Sequence, residues 1–356
     1  MATTVGLIGR PGAGKRTLFE LVTGRPPDDI FLKAGVKAQR ASVHVPDDRL
    51  TALGKIFKPK KVTPAQFELM YLPGFTPEDD RKIVTAALSN YRTCQALALV
   101  VNLFTPESRD RAEKETRELI DELILLDYVQ LESMLPMLKK RVSGKEAQAA
   151  EKLAALKKIK TVLEDGKPAS SAELPAFEEA LVKEYAFVTS RPFLIVGNVS
   201  DDCIADPGEI GEIFMALASS YDAGFITVSA KIEAELAALD EEGERLELMT
   251  EFGIDESGIV RLIHASHKLL SLKTFFTGGD IEVRARTMHV DGTAYDAAAI
   301  VHSDLAKGFI RAEIYDSHDV IKHGGLQALR GTEMMKLAGK EYVIKEGDYV
   351  FIRSGV

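Results

Sequence analysis

The sequence predicts an α/β fold: a parallel sheet wrapped by helices, a long helical hairpin set into it, and a small mixed α/β unit at the C-terminal end. Three observations predict this. Short apolar runs at Val5 to Ile8, Phe67 to Tyr71, Ala96 to Phe104, Phe193 to Val199 and Phe225 to Ser229 are mostly followed by turn residues and then helical patterns. Strands that alternate with helices in this way pair in parallel, with both faces covered. Between about Pro106 and Tyr185 the strand pattern gives way to leucines at helical spacing. From about Thr274 the chain changes again, to short alternating strands and turns.

The first strand, Val5-Gly6-Leu7-Ile8, runs into a glycine-rich turn and a helix from about Lys15 to Thr23. In the middle region Leu119, Leu123, Leu126, Leu131, Leu135 and Leu138 form one stripe from Glu113 onward. Ser143-Gly144 breaks it, and Leu153, Leu156, Ile159 and Leu163 begin a second. Two amphipathic helices joined by a short turn make an antiparallel hairpin. Because strand-like runs resume at Phe193, the hairpin reads as an insertion. In the last eighty or so residues, Gly278-Gly279-Asp280, Asp291-Gly292 and Glu346-Gly347-Asp348 mark turns between strands, with one helix among them.

A chain of 356 residues can bury two or three cores, and 46% hydrophobic with 28% charged residues is ordinary for a globular protein. Cys94 and Cys203 fit no ligand or redox spacing, so a reducing cytoplasm is expected, with both thiols structural. No stretch reaches the ~20 apolar residues of a membrane span, and the first residues predict no export signal. A net charge of −9 argues against a protein that coats nucleic acid but leaves room for a local basic patch.

The chemistry lies in Gly9-Arg10-Pro11-Gly12-Ala13-Gly14-Lys15-Arg16-Thr17. Gly9, Gly12 and Gly14 let the backbone wrap an anion with its N–H groups turned inward. Ala13 and Lys15 complete the cradle, the latter with a full charge, and the following helix N-terminus favours a phosphate. The alternative, a chance glycine-rich turn, does not account for the lysine together with both flanking elements. One position departs from the motif. A Ser or Thr hydroxyl should follow the lysine to ligate Mg²⁺, but Arg16 stands there, and Thr17 lies about 100° further round the helix.

The loop with Thr17-Leu18-Phe19 resembles the YchF branch of the Obg-related P-loop proteins, also called Obg-like ATPases. Pro46-Asp47-Asp48-Arg49-Leu50, Gly197-Asn198-Val199-Ser200-Asp201, Leu236 to Met249 and Lys268 to Thr277 carry the resemblance along nearly the whole chain. His302-Ser303-Asp304-Leu305-Ala306-Lys307-Gly308-Phe309-Ile310-Arg311-Ala312 is similar to the signature of that family's C-terminal domain. The resemblance implies a P-loop G-like domain (1–105 and 191–273), an inserted α-helical hairpin (106–190) and a small ubiquitin-like TGS domain (274–356). It also implies a cytoplasmic, nucleotide-binding protein associated with ribosomes and translation.

Several family positions are changed. The switch threonine aligns at or near Gly35, the aspartate of the Asp-x-x-Gly motif with Tyr71 in Tyr71-Leu72-Pro73-Gly74, and the family's proposed catalytic histidine with Leu99. The glycine-rich segment after Gly74 is shortened to Phe75-Thr76-Pro77-Glu78-Asp79-Asp80. Phosphoryl transfer needs charge neutralisation by a metal and a positioned water. The expectation is therefore weak or absent hydrolysis, no metal ligands, a doubtful need for Mg²⁺, and no assignable catalytic residue, with a slow GTPase or ATPase and a structural adaptor that binds no nucleotide as the alternatives.

The base is expected at Asn198, Val199 and Asp201, with Ser229, Ala230 and Lys231 opposite. In guanine readers an aspartate here takes two hydrogen bonds from the base, while the asparagine braces the loop. The YchF branch usually carries glutamate, a change associated with ATP. Asp201 favours guanine by a small margin, so the ligand is GTP or ATP. Asn198 and Asp201 as plain turn residues, with Lys231 solvated, remain the alternative. His264 and His267 have a metal-compatible spacing but lack a third ligand. Lys139, Lys140, Arg141 and Lys145, with Lys157, Lys158 and Lys160, form either an RNA-facing tip on the hairpin or a solvated face. The partners expected are a purine nucleotide and a ribosome or RNA, with no membrane; oligomeric state is not legible.

Overall fold

The computed structural model describes residues 3–27, 38–72, 74–76 and 79–355. In chain order the elements are β1 (Thr4–Ile8), α1 (Lys15–Thr23), β2 (Gln39–Val45), α2 (Asp48–Phe57), β3 (Lys61–Thr63), β4 (Ala65–Tyr71), α3 (Arg81–Tyr91) and β5 (Ala96–Leu103). Then come α4 (Pro106–Ser143), α5 (Ala149–Glu164), α6 (Ala176–Val182), β6 (Phe193–Val199), α7 (Gly208–Ser220), β7 (Gly224–Val228), α8 (Ala230–Ala238), α9 (Glu242–Glu251) and α10 (Gly258–Leu269). The C-terminal part holds β8 (Leu272–Gly278), β9 (Glu282–His289), α11 (Ala294–Val301), α12 (Ser303–Lys307), β10 (Phe309–Asp316), α13 (Ser317–Lys322), β11 (Lys336–Ala338) and β12 (Asp348–Ser354). The contacts group into two units, 1–41 with 68–262, and 42–67 with 263–356.

One sheet, which holds β1, β5, β6 and β7 of the first unit, has the order β2-β4-β1-β5-β6-β7 among the described residues. The β1–β4, β1–β5, β5–β6 and β6–β7 pairs are all parallel. β1 and β5 are buried nearly throughout, which is why they read as continuous apolar runs rather than alternating ones. The core beneath them joins Ile8, Leu72, Leu97, Leu99, Val101, Ile195 and Phe214. This doubly covered sheet puts the strand ends, and the loops after β1, β4, β5, β6 and β7, along one edge.

The hairpin is α4 and α5, packed through Leu131, Leu135, Leu138, Leu156, Ile159 and Leu163. α4 starts at Pro106, seven residues before the leucine stripe suggests. Thr105 and Ser108 form a reciprocal cap there, with proline in the first turn. Those first turns are largely charged, so hydrophobic period alone could not see them. Asp127 anchors the hairpin by accepting from the N–H groups of Val188 and Thr189 at 2.9 and 2.7 Å.

In the second unit the sheet order is β11-β10-β12-β8-β9-β3 among the described residues. Phe275, Met288, Ala297, Ala298, Phe309, Ile314 and Val350 form its core. The segment 42–67, which the sequence reading kept with the phosphate loop, shares this unit. β3 pairs in parallel with β9, Phe57 stacks on Tyr349 at 5.5 Å, and Arg49 lies over Phe276 and bonds Glu346. The C-terminal region holds three short helices where one was expected. α12 and α13 have five and six residues, too short to show a period, and are marked instead by caps from His302 and Asp316.

Candidate nucleotide site

The loop between β1 and α1 takes its shape from glycine. Gly9, Gly12 and Gly14 have φ of 141°, 79° and 93°, a region that side chains rarely adopt. Two of them are also pressed by neighbours. A Cβ on Gly9 would lie 2.3 Å from the carbonyl oxygen of Val100 in β5, and one on Gly14 would lie 2.2 Å from the Asn198 amide. Lys15 is buried, and its ammonium donates to the carbonyls of Gly9 at 2.8 Å and Arg10 at 2.7 Å. Burial lowers its pKa from 10.5 to about 8, because a charged amine is costly away from water.

Gly74 closes over this loop. A Cβ there would meet the Gly9 carbonyl at 2.5 Å and the Lys15 ammonium at 2.9 Å. In the sequence Gly74 stands only as the end of the changed Tyr71-Leu72-Pro73-Gly74 motif, which does not reveal its close approach to the loop. The lone glycine of Pro73-Gly74 was the available signal. Tyr71, just before it, packs edge-on against Phe19 with ring centroids 5.9 Å apart. Burial raises its pKa, and the nearby Arg16 charge opposes that rise.

Arg10 looks away from the lysine. Its guanidinium makes a two-pronged pair with Glu122 of α4 at 2.6 and 3.0 Å and donates to the Phe75 carbonyl at 3.2 Å. The phosphate loop, the segment after Gly74 and the hairpin are thereby tied through one side chain.

On the other side, Asn198 at the end of β6 is buried and spans two loops. Its amide donates to the Ala13 carbonyl at 3.2 Å and accepts from the Ala230 N–H at 3.1 Å. Ser229 is buried and caps α8. Asp201 and Lys231 form an exposed ion pair, which lowers the carboxyl pKa and raises the amine pKa.

These parts enclose a cavity of about 870 Å³, within the usual range for a small-molecule site. Of the residues singled out by sequence, Gly12, Ala13, Gly14, Lys15, Arg16, Thr17, Asn198, Val199, Asp201, Ala230 and Lys231 line it. Gly9 and Ser229 sit behind the wall and shape it. Pro11, Tyr71, Gly74, Phe104, Ser200 and Ala234 line it as well. Phe104, 38% exposed, offers an aromatic edge that sequence reading took only as the end of a strand.

Other candidates lie elsewhere. Leu99 is buried in mid-strand, paired with Ile8 and Ile195. His264 contacts the Pro46 carbonyl at 2.9 Å, and His267 is buried with a lowered pKa, chiefly through desolvation. No cluster of three or more metal-ligating side chains occurs among the described residues. No described helix is long and apolar enough to cross a membrane. Gly35, Pro73, Pro77 and Glu78 lie outside the described residues.

The chain is similar to known proteins along its whole length. Residues 272–354 match the family YchF-GTPase_C, "Protein of unknown function (DUF933)". The chain is 36% identical to the ribosome-binding ATPase YchF of Bacillus subtilis over 369 residues, covering 100% of both chains. It is 32% identical to the Haemophilus influenzae protein of the same name over 374 residues, again covering 100% of both. Among solved structures, the Schizosaccharomyces pombe YchF GTPase superposes with a TM-score of 0.84, covering 99% of this chain and 98% of that one. At 24% identity that last likeness speaks for the fold alone. End-to-end similarity to the bacterial proteins, on a P-loop fold, makes this chain a member of the YchF family.

Proposed function

We propose that this chain binds a purine nucleotide, GTP or ATP, in the cavity between Lys15 and Lys231, acts at the ribosome, and hydrolyses its nucleotide slowly or not at all. The observation that carries the reading is the convergence of the phosphate loop with the Asn198 and Ser229 loops on one cavity, joined by the Asn198 amide. The phosphates would lie on the loop N–H groups, Lys15 and the α1 N-terminus, and the base between Asp201, Lys231 and Phe104. The printed names of the bacterial relatives, which bind ribosomes, support the ribosome as partner. The basic hairpin tip and the C-terminal unit, read as a TGS-type domain, are the surfaces offered to it. A cytoplasmic protein is consistent with this role.

Slow turnover is supported by what lines the cavity. Leu99 is buried in the sheet, and Asp201, the one carboxylate among the described lining residues, is paired with Lys231 at the base end. Among the described lining residues, no side chain beside the loop is suited to orient an attacking water. A second reading, a slow ATPase, is favoured by the relatives' name. Equilibrium titration with labelled GTP and ATP, followed by phosphate release measured with nucleotide in excess, separates the two. Binding with release no faster than buffer supports the first; multiple turnovers support the second. A well-folded protein that binds neither nucleotide refutes both.

A further inference from the structure

We infer that occupancy of the cavity is relayed to the helical hairpin through two arginine links: Arg10 with Glu122 at the glycine loop, and Arg109 with Ser200 and Asp202 beyond the end of β6. The inference rests on the reading that the cavity holds a nucleotide, and concerns how that binding is passed on.

The two links meet in α4. This helix runs for 38 residues, about 57 Å, and its side chains enter two cores. Ala112, Leu119 and Leu123 pack into the core of the parallel sheet, whereas Ile120, Ile124, Leu131 and Leu135 belong to the core of the hairpin. Whatever fixes the first half of α4 therefore bears on the packing of the second.

Arg10 lies inside the glycine loop and faces two ways. Its carbonyl accepts from Lys15 at 2.7 Å, and its guanidinium holds both carboxylate oxygens of Glu122 and the Phe75 carbonyl. One residue is thus bonded both to the ammonium that a phosphate would engage and to α4. The Arg10 and Glu122 side chains are 17% and 24% exposed, so solvent screens this pair less than a surface one.

Arg109 lies in the first turns of α4. It donates to the Leu103 carbonyl at 2.8 Å, to the Ser200 hydroxyl, and to the Asp202 carboxylate at 3.4 Å. Leu103 ends β5 and pairs with Val199 of β6, and Val199, Ser200 and Asp201 line the cavity. Arg109 is therefore a positioning residue for the loop that would carry the base. The two links are about 20 Å apart along α4. A ligand that touches both the glycine loop and the β6 loop fixes both anchors of one helix at once. Freedom lost by α4 on binding is matched by linkage: a partner that holds the hairpin should tighten nucleotide binding by the same factor.

Hydrogen exchange read by mass spectrometry on the full chain, with and without saturating GTP or ATP, tests this, with occupancy verified by titration of the same sample. Nucleotide should slow exchange in the glycine loop and, by about threefold or more, across residues 110–130 of α4. Glu122→Gln and Arg109→Gln each cut one link without altering a residue that lines the cavity. Each bound variant should still protect the glycine loop but keep less than about half of the α4 protection. Arg109→Lys, which retains a charged donor, should recover part of it. Unchanged α4 exchange in the saturated natural chain, or full α4 protection in both bound variants, would overturn the inference while leaving nucleotide binding intact. A well-folded natural chain that binds neither nucleotide would instead remove the nucleotide reading, and this inference with it.

Discussion

At the end of the cavity proposed for the phosphates the backbone does the shaping, whereas the end proposed for the base is closed by side chains that reach out into solvent. Three left-handed glycines, a Lys15 only 5% exposed and a Gly74 that admits no side chain define the first. Apart from the buried Asn198 brace, the second depends on Asp201 and on Lys231, whose side chain is 64% exposed. Packed backbone cannot adapt, so the phosphate end should tolerate little substitution and supply most of the affinity. An exposed ion pair is screened and mobile, so the base end should discriminate weakly.

Breaking the rigid end should have the largest effect. Gly14→Val puts a branched side chain at φ 93° and into the Asn198 amide, severing the link between the two loops. A stability loss of about 3 kcal/mol or more is expected in denaturant unfolding, together with loss of nucleotide binding.

The buried lysine gives a pH signature. Its pKa of about 8 in the fold lies below the ordinary 10.5. The unfolded chain therefore holds more protons between those values, and stability should rise as pH climbs from about 8 to 10.5. The gain is up to about 3 kcal/mol, read as the difference between the natural chain and Lys15→Met. Nucleotide affinity should move the other way and fall above about pH 8, because phosphate needs the charged amine.

Arg10→Ala leaves Glu122, 24% exposed, without its two-pronged partner. A loss of about 1–2 kcal/mol is expected, with faster hydrogen exchange at the start of the hairpin but not in β6. The smallest effect belongs to Asp201→Ala, which should change the GTP-to-ATP affinity ratio by less than about tenfold. A larger change would mean that nucleotide binding buries this carboxylate and makes the base end as selective as the phosphate end is rigid.

The same contrast explains what the sequence could reveal. β1, the glycine loop, α1 and β6 are contiguous, and local pattern predicted their limits to within a residue. The residues proposed for the base end could be picked out as two short loops after successive strands, and they line one cavity. Contacts between distant segments were not legible. Arg10 and Glu122 are 112 positions apart, and nothing local marks either as half of a pair. Gly74 looks like any turn glycine until the loop it covers is in place. The affiliation of 42–67 with the C-terminal strands also escaped notice. It rests on β3, only three residues long, and on ring contacts such as Phe57 with Tyr349. A truncation meant to isolate the first unit must therefore deal with α2 and β3 as well as the last eighty residues.

The most direct test of the phosphate-end account is a competition series against one bound fluorescent nucleotide, using GTP, ATP, inorganic triphosphate and guanosine. Inorganic triphosphate should compete within about a hundredfold of GTP, GTP and ATP should agree within about tenfold, and guanosine should compete least. Guanosine that competes as well as GTP, with triphosphate inert, would place the affinity at the base end and contradict the account.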